Sequence, residues 1–210
     1  MKNQVKESVS YRLVVMGPSR VGKTALISMF LRGQVSPIYY PTVENCHTWQ
    51  MSQGGRQCHL DIIDTSGSKD FPAMYKLYIS TAQIFVLVHS LEDPQSFEEV
   101  LRILEEINRE RPGEQIPIFV IGNKSDRPRP IGMCSAEAEL LLIDYMDVVR
   151  YTECNSRNRY SVDSVFAQIT DVVFGSFRCV NGQREDLMST SSDKKCKGGL
   201  LKKWKSLRRR

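Results

Sequence analysis

No apolar run in these 210 residues approaches the roughly 18 that a membrane-spanning helix requires, which excludes an integral helical membrane protein. The opening stretch, Met1 to Ser8, holds no apolar segment of the kind found in secretory leaders, so the expectation is a cytoplasmic chain. Six cysteines are present (Cys46, Cys58, Cys134, Cys154, Cys179 and Cys196), yet none pairs as C-x-x-C. A disulfide framework is not indicated, and most of the six read as small hydrophobes. Internal repeats and low-complexity tracts are absent ahead of the C-terminal end. Acids are missing from Lys194 to Arg210, where nine of the 29 lysines and arginines crowd together. The residues before them carry the other 20 cations against all 24 acids. The net charge of +5 therefore divides into a mildly acidic body and a strongly basic end.

The body, at 41% hydrophobic residues overall, has enough apolar material for one packed α/β domain. Arg12 to Gly17 is a β-branched apolar run ending in glycine, a buried strand. Thr24 to Leu31 has helical spacing, with Leu26, Ile27, Phe30 and Leu31 on one side. His47–Met51 and Cys58–Ile63 flank Gly54-Gly55 as a hairpin. Ile84–Val88 and Ile118–Gly122 are further buried strands. Between them Asp93-Pro94 opens a helix with Phe97, Val100, Leu101, Leu104 and Ile107 on one face. Ser135 to Tyr145 reads as a helix, Val148 to Glu153 as a last strand, and Val162 to Phe174 as a last helix capped by Ser161. Repeated βα units imply a mostly parallel, doubly wound sheet covered on both faces, whose chemistry lies in the loops after the strands. From about Asn181 the composition turns polar. The expected division is an extension over 1–9, a domain over 10–180 and a tail over 181–210.

The loop after the first strand, Gly17-Pro18-Ser19-Arg20-Val21-Gly22-Lys23-Thr24, is a complete G-x-x-x-x-G-K-[ST] between a strand and a helix. Such a loop turns its backbone N–H groups inward on a phosphate, and the helix start adds its positive dipole end. Lys23 would neutralise the outer phosphates and the Thr24 hydroxyl would bind Mg²⁺. Asn123-Lys124-Ser125-Asp126, after the fifth strand, matches the N-K-x-D element of GTP-binding proteins. Asp64-Thr65-Ser66-Gly67 is similar to their D-x-x-G, and Tyr40-Pro41-Thr42-Val43-Glu44 to their P-T-[IV]-E. Glu153-Cys154-Asn155-Ser156 stands where they carry a final base-reading loop.

In order and spacing, over about residues 10 to 178, these elements resemble a Ras-superfamily small GTPase. The runs Arg20 to Ala25, Asp64 to Gly67 and Phe71 to Met74 look nearest to its Dexras/Rhes and Di-Ras branches. The resemblance implies a P-loop G domain with six strands in the order 2-3-1-4-5-6. It implies GTP/GDP as the bound nucleotide, with the phosphate loop from Gly17 through Ala25 around the phosphates and Val35 beside the base. Asn123, Lys124 and Asp126 would hold guanine, whose N1–H and amine a carboxylate accepts, and a backbone amide of the Asn155-Ser156 loop would read its O6. Thr24, Thr42 and, through water, Asp64 would hold Mg²⁺. Lys23, Thr42, Gly67 and Ser68 would surround the γ-phosphate. Tyr39, Tyr40, Pro41, Thr42, Val43, Glu44, Asn45, Cys46 and His47 would face effector proteins, with room for an exchange factor and an activating protein. An ATPase or nucleotide kinase would need a different base site.

Departures from the family pattern are informative. Ser68 stands where most Ras-like enzymes have the glutamine that orients the attacking water, and its hydroxyl is too short to span water and phosphate. Ser19 and Arg20 replace two glycines, adding bulk where an activator's arginine would enter. Slow hydrolysis is the expectation, or a scaffold that stays loaded with GTP. Val35 replaces an aromatic beside the base, a loss of roughly 1 kcal/mol that predicts faster exchange.

The chain ends Ser206-Leu207-Arg208-Arg209-Arg210 and not in C-a-a-X, so prenylation is not expected. Leu200, Leu201, Trp204 and Leu207 share one face of a helical pattern ringed by cations, as in interfacial amphipathic helices and in the unlipidated Rit/Ric tails. The leading expectation is peripheral attachment to the anionic inner face of the plasma membrane, with Cys196 as a palmitoylation candidate. A calmodulin target, a nuclear-import signal and a solvated end compete with it; nucleic acid is not expected as a partner.

Overall fold

A computed structural model describes residues 8–53, 56–67, 72–129, 135–145 and 147–176. The first strand, β1 (Ser8–Met16), leads through the phosphate loop into α1 (Lys23–Arg32). An antiparallel pair follows, β2 (Glu44–Gln53) and β3 (Arg56–Thr65), then α2 (Pro72–Thr81), β4 (Ile84–Ser90), α3 (Pro94–Glu110) and β5 (Ile118–Asn123). The chain continues through α4 (Ser135–Leu142), a 3₁₀ turn (Ile143–Tyr145), β6 (Val149–Cys154) and α5 (Arg159–Ser176). The six strands lie in the order β2-β3-β1-β4-β5-β6, all neighbours parallel except β2 and β3. This is the expected doubly wound sheet.

Alternation along β1 divides the interior in two. Leu13 and Val15 pack with Leu26 and Ile27 of α1 and with Phe166 and Ile169 of α5. Val14 and Met16 face the other side, against Phe97, Val100, Leu101 and Leu104 of α3. Every residue of β4 and β5 is buried, as strands covered on both faces must be. Asp93 caps α3 as the sequence predicts, accepting from the Gln95 N–H at 3.0 Å, with Pro94 in the first turn.

Several boundaries differ. β1 begins at Ser8 and not near Arg12, because Ser8 to Ser10 continue the parallel pairing with Gln57 to His59; the expected 1–9 extension therefore overlaps a strand. The helix from Ser135 ends at Leu142 and tightens into the 3₁₀ turn. α5 starts at Arg159, three residues before the predicted Val162, and its cap is Asn158 and not Ser161. The Asn158 carboxamide oxygen accepts from the Ser161 N–H at 3.2 Å, while the Ser161 hydroxyl accepts from the Asn155 N–H at 3.0 Å. No sequence pattern announces α2. Only Tyr78 and Ile79 of that helix are fully buried, too few to write an amphipathic stripe. Gly54-Gly55, Ser68, Phe71, Cys134, Cys179 and the whole tail, Cys196, Leu200, Leu201, Trp204 and Leu207 included, lie outside the described residues.

His89 is the one titratable side chain set deep in the middle layer of β4 beyond the site's own residues. It is wholly buried between Phe97 and Tyr151, its ring nitrogens finding nothing better than a marginal approach to the Ser90 backbone. Burial pulls its pKa from 6.5 down to about 3. The unfolded chain thus binds a proton below pH 6.5 that the folded chain refuses until about pH 3, so His89 removes stability progressively as pH falls through that window. We expect the stability advantage of His89→Phe over wild type, read by urea unfolding, to widen by about 2 kcal/mol between pH 7 and pH 5. A pH-independent difference would show that His89 is not held neutral.

Candidate functional site

The loops after β1, β3, β5 and β6 and the segment before β2 enclose one cleft of about 740 Å³. Its lining includes Ser19, Arg20, Gly22, Lys23, Thr24, Ala25, Val35, Thr42, Gly67, Asn123, Lys124, Asp126, Asn155 and Ser156, residues drawn from every motif singled out in the sequence. Tyr39, Tyr40 and Pro41 form part of the same wall. Three expected residues stand back from it. Gly17 lies under the loop, Val21 is buried in the core and Asp64 is wholly buried, acting through the groups they bond. Val43 leads into β2, along which Glu44 to His47 run and which has no partner on its outer edge among the described residues; Tyr40 and Val43 are each 71% exposed.

The phosphate end is built around a buried cation. Lys23, 6% exposed, donates to the carbonyls of Gly17 and Pro18, each at 2.9 Å. Burial lowers its pKa to about 8 against the opposing pull of nearby Asp64. Gly22, at φ 102°, starts α1 from the left-handed region, and a Cβ there would stand 2.2 Å from the Asn123 amide nitrogen. Gly67 lies against the Ser19 backbone so closely that a Cβ would come 2.3 Å from the Ser19 nitrogen and 2.6 Å from its hydroxyl oxygen.

Beside Lys23 three oxygen-bearing side chains converge. The Thr24 hydroxyl donates to one Asp64 carboxylate oxygen at 2.7 Å and lies 2.8 Å from the Thr42 hydroxyl. The other Asp64 oxygen is buried with no hydrogen-bond partner among the described residues. Desolvation raises the Asp64 pKa, opposed by the Thr24 hydrogen bond and by Lys23 and His47. An all-oxygen set with an unsatisfied buried carboxylate oxygen fits a hard divalent cation such as Mg²⁺.

At the base end Asn123 is wholly buried and ties three loops together. Its amide nitrogen donates to the Val21 carbonyl at 2.7 Å and to the Ser156 hydroxyl at 3.2 Å; its oxygen accepts from the Ser156 N–H at 3.0 Å. The Ser156 N–H, one of the amides of the loop expected to read the base carbonyl, is thus bonded to Asn123. The neighbouring amides are also engaged, Asn155 N–H by Ser161 and Arg157 N–H by the Asn155 side chain. A buried carboxamide draws in whatever donors and acceptors lie within reach, and these loops supply them. Asp126, by contrast, is exposed on the cleft wall, positioned to accept from a ligand.

Sequence reading missed Glu92. Its carboxylate pairs with Lys124 and with Arg127, each at 2.9 Å, and those partners hold its pKa below the usual range. The Leu91 N–H bonds the Asn123 carbonyl at 2.9 Å, so the loop after β4 braces both flanks of the Asn123–Asp126 turn, in which Lys124 takes φ 65°. Ser28, Arg127 and Arg157 also line the cleft without any motif to announce them.

Comparison with known proteins agrees with this geometry. The Ras family profile matches residues 12–174. The GTP-binding protein Rhes of Homo sapiens is 36% identical over 165 residues, 75% of this chain and 62% of Rhes, so the match spans less than two thirds of that relative. The Ras-like protein rasB of Dictyostelium discoideum is 33% identical over 198 residues, 94% of this chain and 95% of its own length. The Ras-like protein RAS2 of Hydra vulgaris is 35% identical over 163 residues, covering 78% and 84% respectively. With its sheet order, its phosphate loop and its base-side turn all in place, the chain belongs to the Ras family.

Proposed function

We propose that the protein is a guanine-nucleotide switch of intracellular signalling that binds GTP and GDP and hydrolyses GTP slowly. The observation that carries this reading is the meeting of the Lys23 loop and the Asp126 turn in one cleft. Lys23 offers its charge to the phosphates, and the first-turn amides of α1 add donors. Asp126 selects guanine, because against adenine its carboxylate would lie unsatisfied at a cost of about 1–3 kcal/mol. Thr24, Thr42 and Asp64 would hold Mg²⁺, which supplies charge neutralisation at the phosphates when bound. Thr42 and Gly67 then tie the two switch segments to the terminal phosphate, and Tyr39 to His47 present the result to an effector. Exchange and activating proteins act on the same segments. The name of the Rhes relative, a GTP-binding protein, supports the choice of ligand.

The hydrolytic step is attack of water on the γ-phosphorus, giving GDP and phosphate. Ser68 is too short to hold that water, and Ser19 crowds Gly67 where an activator's arginine would enter. The same contact favours a second reading, a loaded scaffold that does not turn over. Peripheral attachment to the inner face of the plasma membrane follows from the basic, tryptophan-containing segment Lys194 to Arg210, each cation adding up to about 1 kcal/mol near an anionic surface. Calmodulin capture and nuclear import are the competing roles for that segment.

Three measurements test these statements. In displacement of fluorescent GDP from the Mg²⁺-supplied chain, GTP should compete and ATP should fail at a hundredfold higher concentration; equal competition overturns the switch. In single-turnover assays the wild type should hydrolyse at or below about 10⁻⁴ s⁻¹. Ser68→Gln should be about tenfold faster, the value of one recovered hydrogen bond; no measurable hydrolysis by either favours the scaffold. The full chain should sediment with phosphatidylserine vesicles, more weakly with added salt and not with phosphatidylcholine alone. Equal binding to both removes the membrane reading.

A further inference from the structure

Arg20 and Tyr39 face each other across the phosphate end of the cleft, and both line it. One belongs to the rigid loop after β1, the other to the segment that closes over the site before β2. The Arg20 guanidinium carbon lies 5.8 Å from the centre of the Tyr39 ring, within cation–π range. Arg20 holds this position from φ 63°, a left-handed conformation that a side-chain-bearing residue adopts only at some cost in strain. Among the described residues no carboxylate pairs with Arg20, so its charge is available to the ring.

The segment it reaches is otherwise lightly fastened. Val35 packs against the core at one end, and Thr42 meets Thr24 at the other. Between them the described bonds of Ser36 are local, to Ile38. Ile38, Tyr39 and Tyr40 are all exposed. Arg20 and Tyr39 thus form the contact that crosses from this stretch to the fixed wall midway between the two anchors.

We propose that the Arg20–Tyr39 stack is a latch that holds the closing segment over a bound guanine nucleotide and slows its release, with Arg20 as a positioning residue. The proposal rests on the cleft being the guanine-nucleotide site. It makes closure a property of this chain's own loop: the planar guanidinium grips an aromatic face, which a glycine in the same place could not do. A swing of the Tyr39 segment outward, the motion that opens the site, has to break that contact first.

The experiment is release of fluorescent GDP from the full chain with Mg²⁺, chased by unlabelled GDP. Loading of the wild type tests the nucleotide reading separately, and a chain that does not load overturns both. Arg20→Gly and Tyr39→Leu should each speed release by about two- to fivefold, and the double variant should be no faster than the faster single one. Tyr39→Phe, which keeps the ring, should release more slowly than Tyr39→Leu. A purely structural Arg20 gives the opposite sign, because Arg20→Gly relieves the strained backbone and should firm the loop. Unchanged or slower release in Arg20→Gly overturns the latch. So does a double variant whose effect is the product of the singles, since Arg20 would then act on the phosphates without Tyr39.

Discussion

One buried carboxamide holds the site together. The chain brings Asn123 to the end of β5 with no exposure, and there its amide bonds the carbonyl of Val21 in the phosphate loop and both the amide and the hydroxyl of Ser156 after β6. A buried polar group without partners costs about 1–3 kcal/mol, so each of these loops is drawn to the position that satisfies it. Gly22 completes the arrangement by leaving room, since any side chain there would collide with the same amide. The phosphate side and the base side of the cleft are consequently one rigid object, although 102 residues separate Val21 from Asn123. Large sequence separation matters little once a single satisfied polar group spans it.

The charges divide along the same line. At the phosphate end Lys23 and Asp64 are both desolvated, each moved toward its neutral form by burial and each opposed by the other. Such a pair is poised for ligands that favour its charged forms: an anion for the lysine, a cation for the carboxylate. At the other end the ionic contacts lie at the surface, a half-buried Glu92 with Lys124 and with the exposed Arg127, and contribute orientation more than energy. On the guanine-nucleotide reading, affinity originates mainly where the phosphates would lie, and discrimination where the base would lie.

The features that sequence revealed are those imposed by local rules. The phosphate loop needs glycine at fixed places, buried strands read as apolar runs rich in β-branched residues, and Asp93-Pro94 ahead of a helical apolar stripe favours a helix start. Strand order came from family resemblance, because spacing alone does not order strands. Features set by tertiary partners were illegible. α2 buries too little to leave a periodic stripe, and Asn158 caps α5 while the Ser161 hydroxyl, inside the helix, accepts from the Asn155 amide. Glu92 carried no motif, since its role depends on the loop after β4 folding beside the loop after β5. For Asn123 the motif points only to the base, and its bracing bonds to Val21 and Ser156 become visible only in the folded chain, where it also lines the cleft.

On the proposed reading of the cleft, nucleotide residence depends on two substitutions that pull in opposite directions. Val35 offers the base side a smaller apolar surface than an aromatic would, and a loss of about 1 kcal/mol there favours escape. Arg20 adds at the phosphate side a contact with Tyr39 of comparable size. The two act at different ends of one segment, with Val35 rooted in the core and Tyr39 exposed on the wall, so they do not share partners and their effects should add. A chain that loosens the base while clasping the phosphates shifts control of release from the anchor of the closing segment to its middle. That middle is also the exposed surface around Tyr40 and Val43 that a partner would touch, so a protein binding there would act directly on the latch.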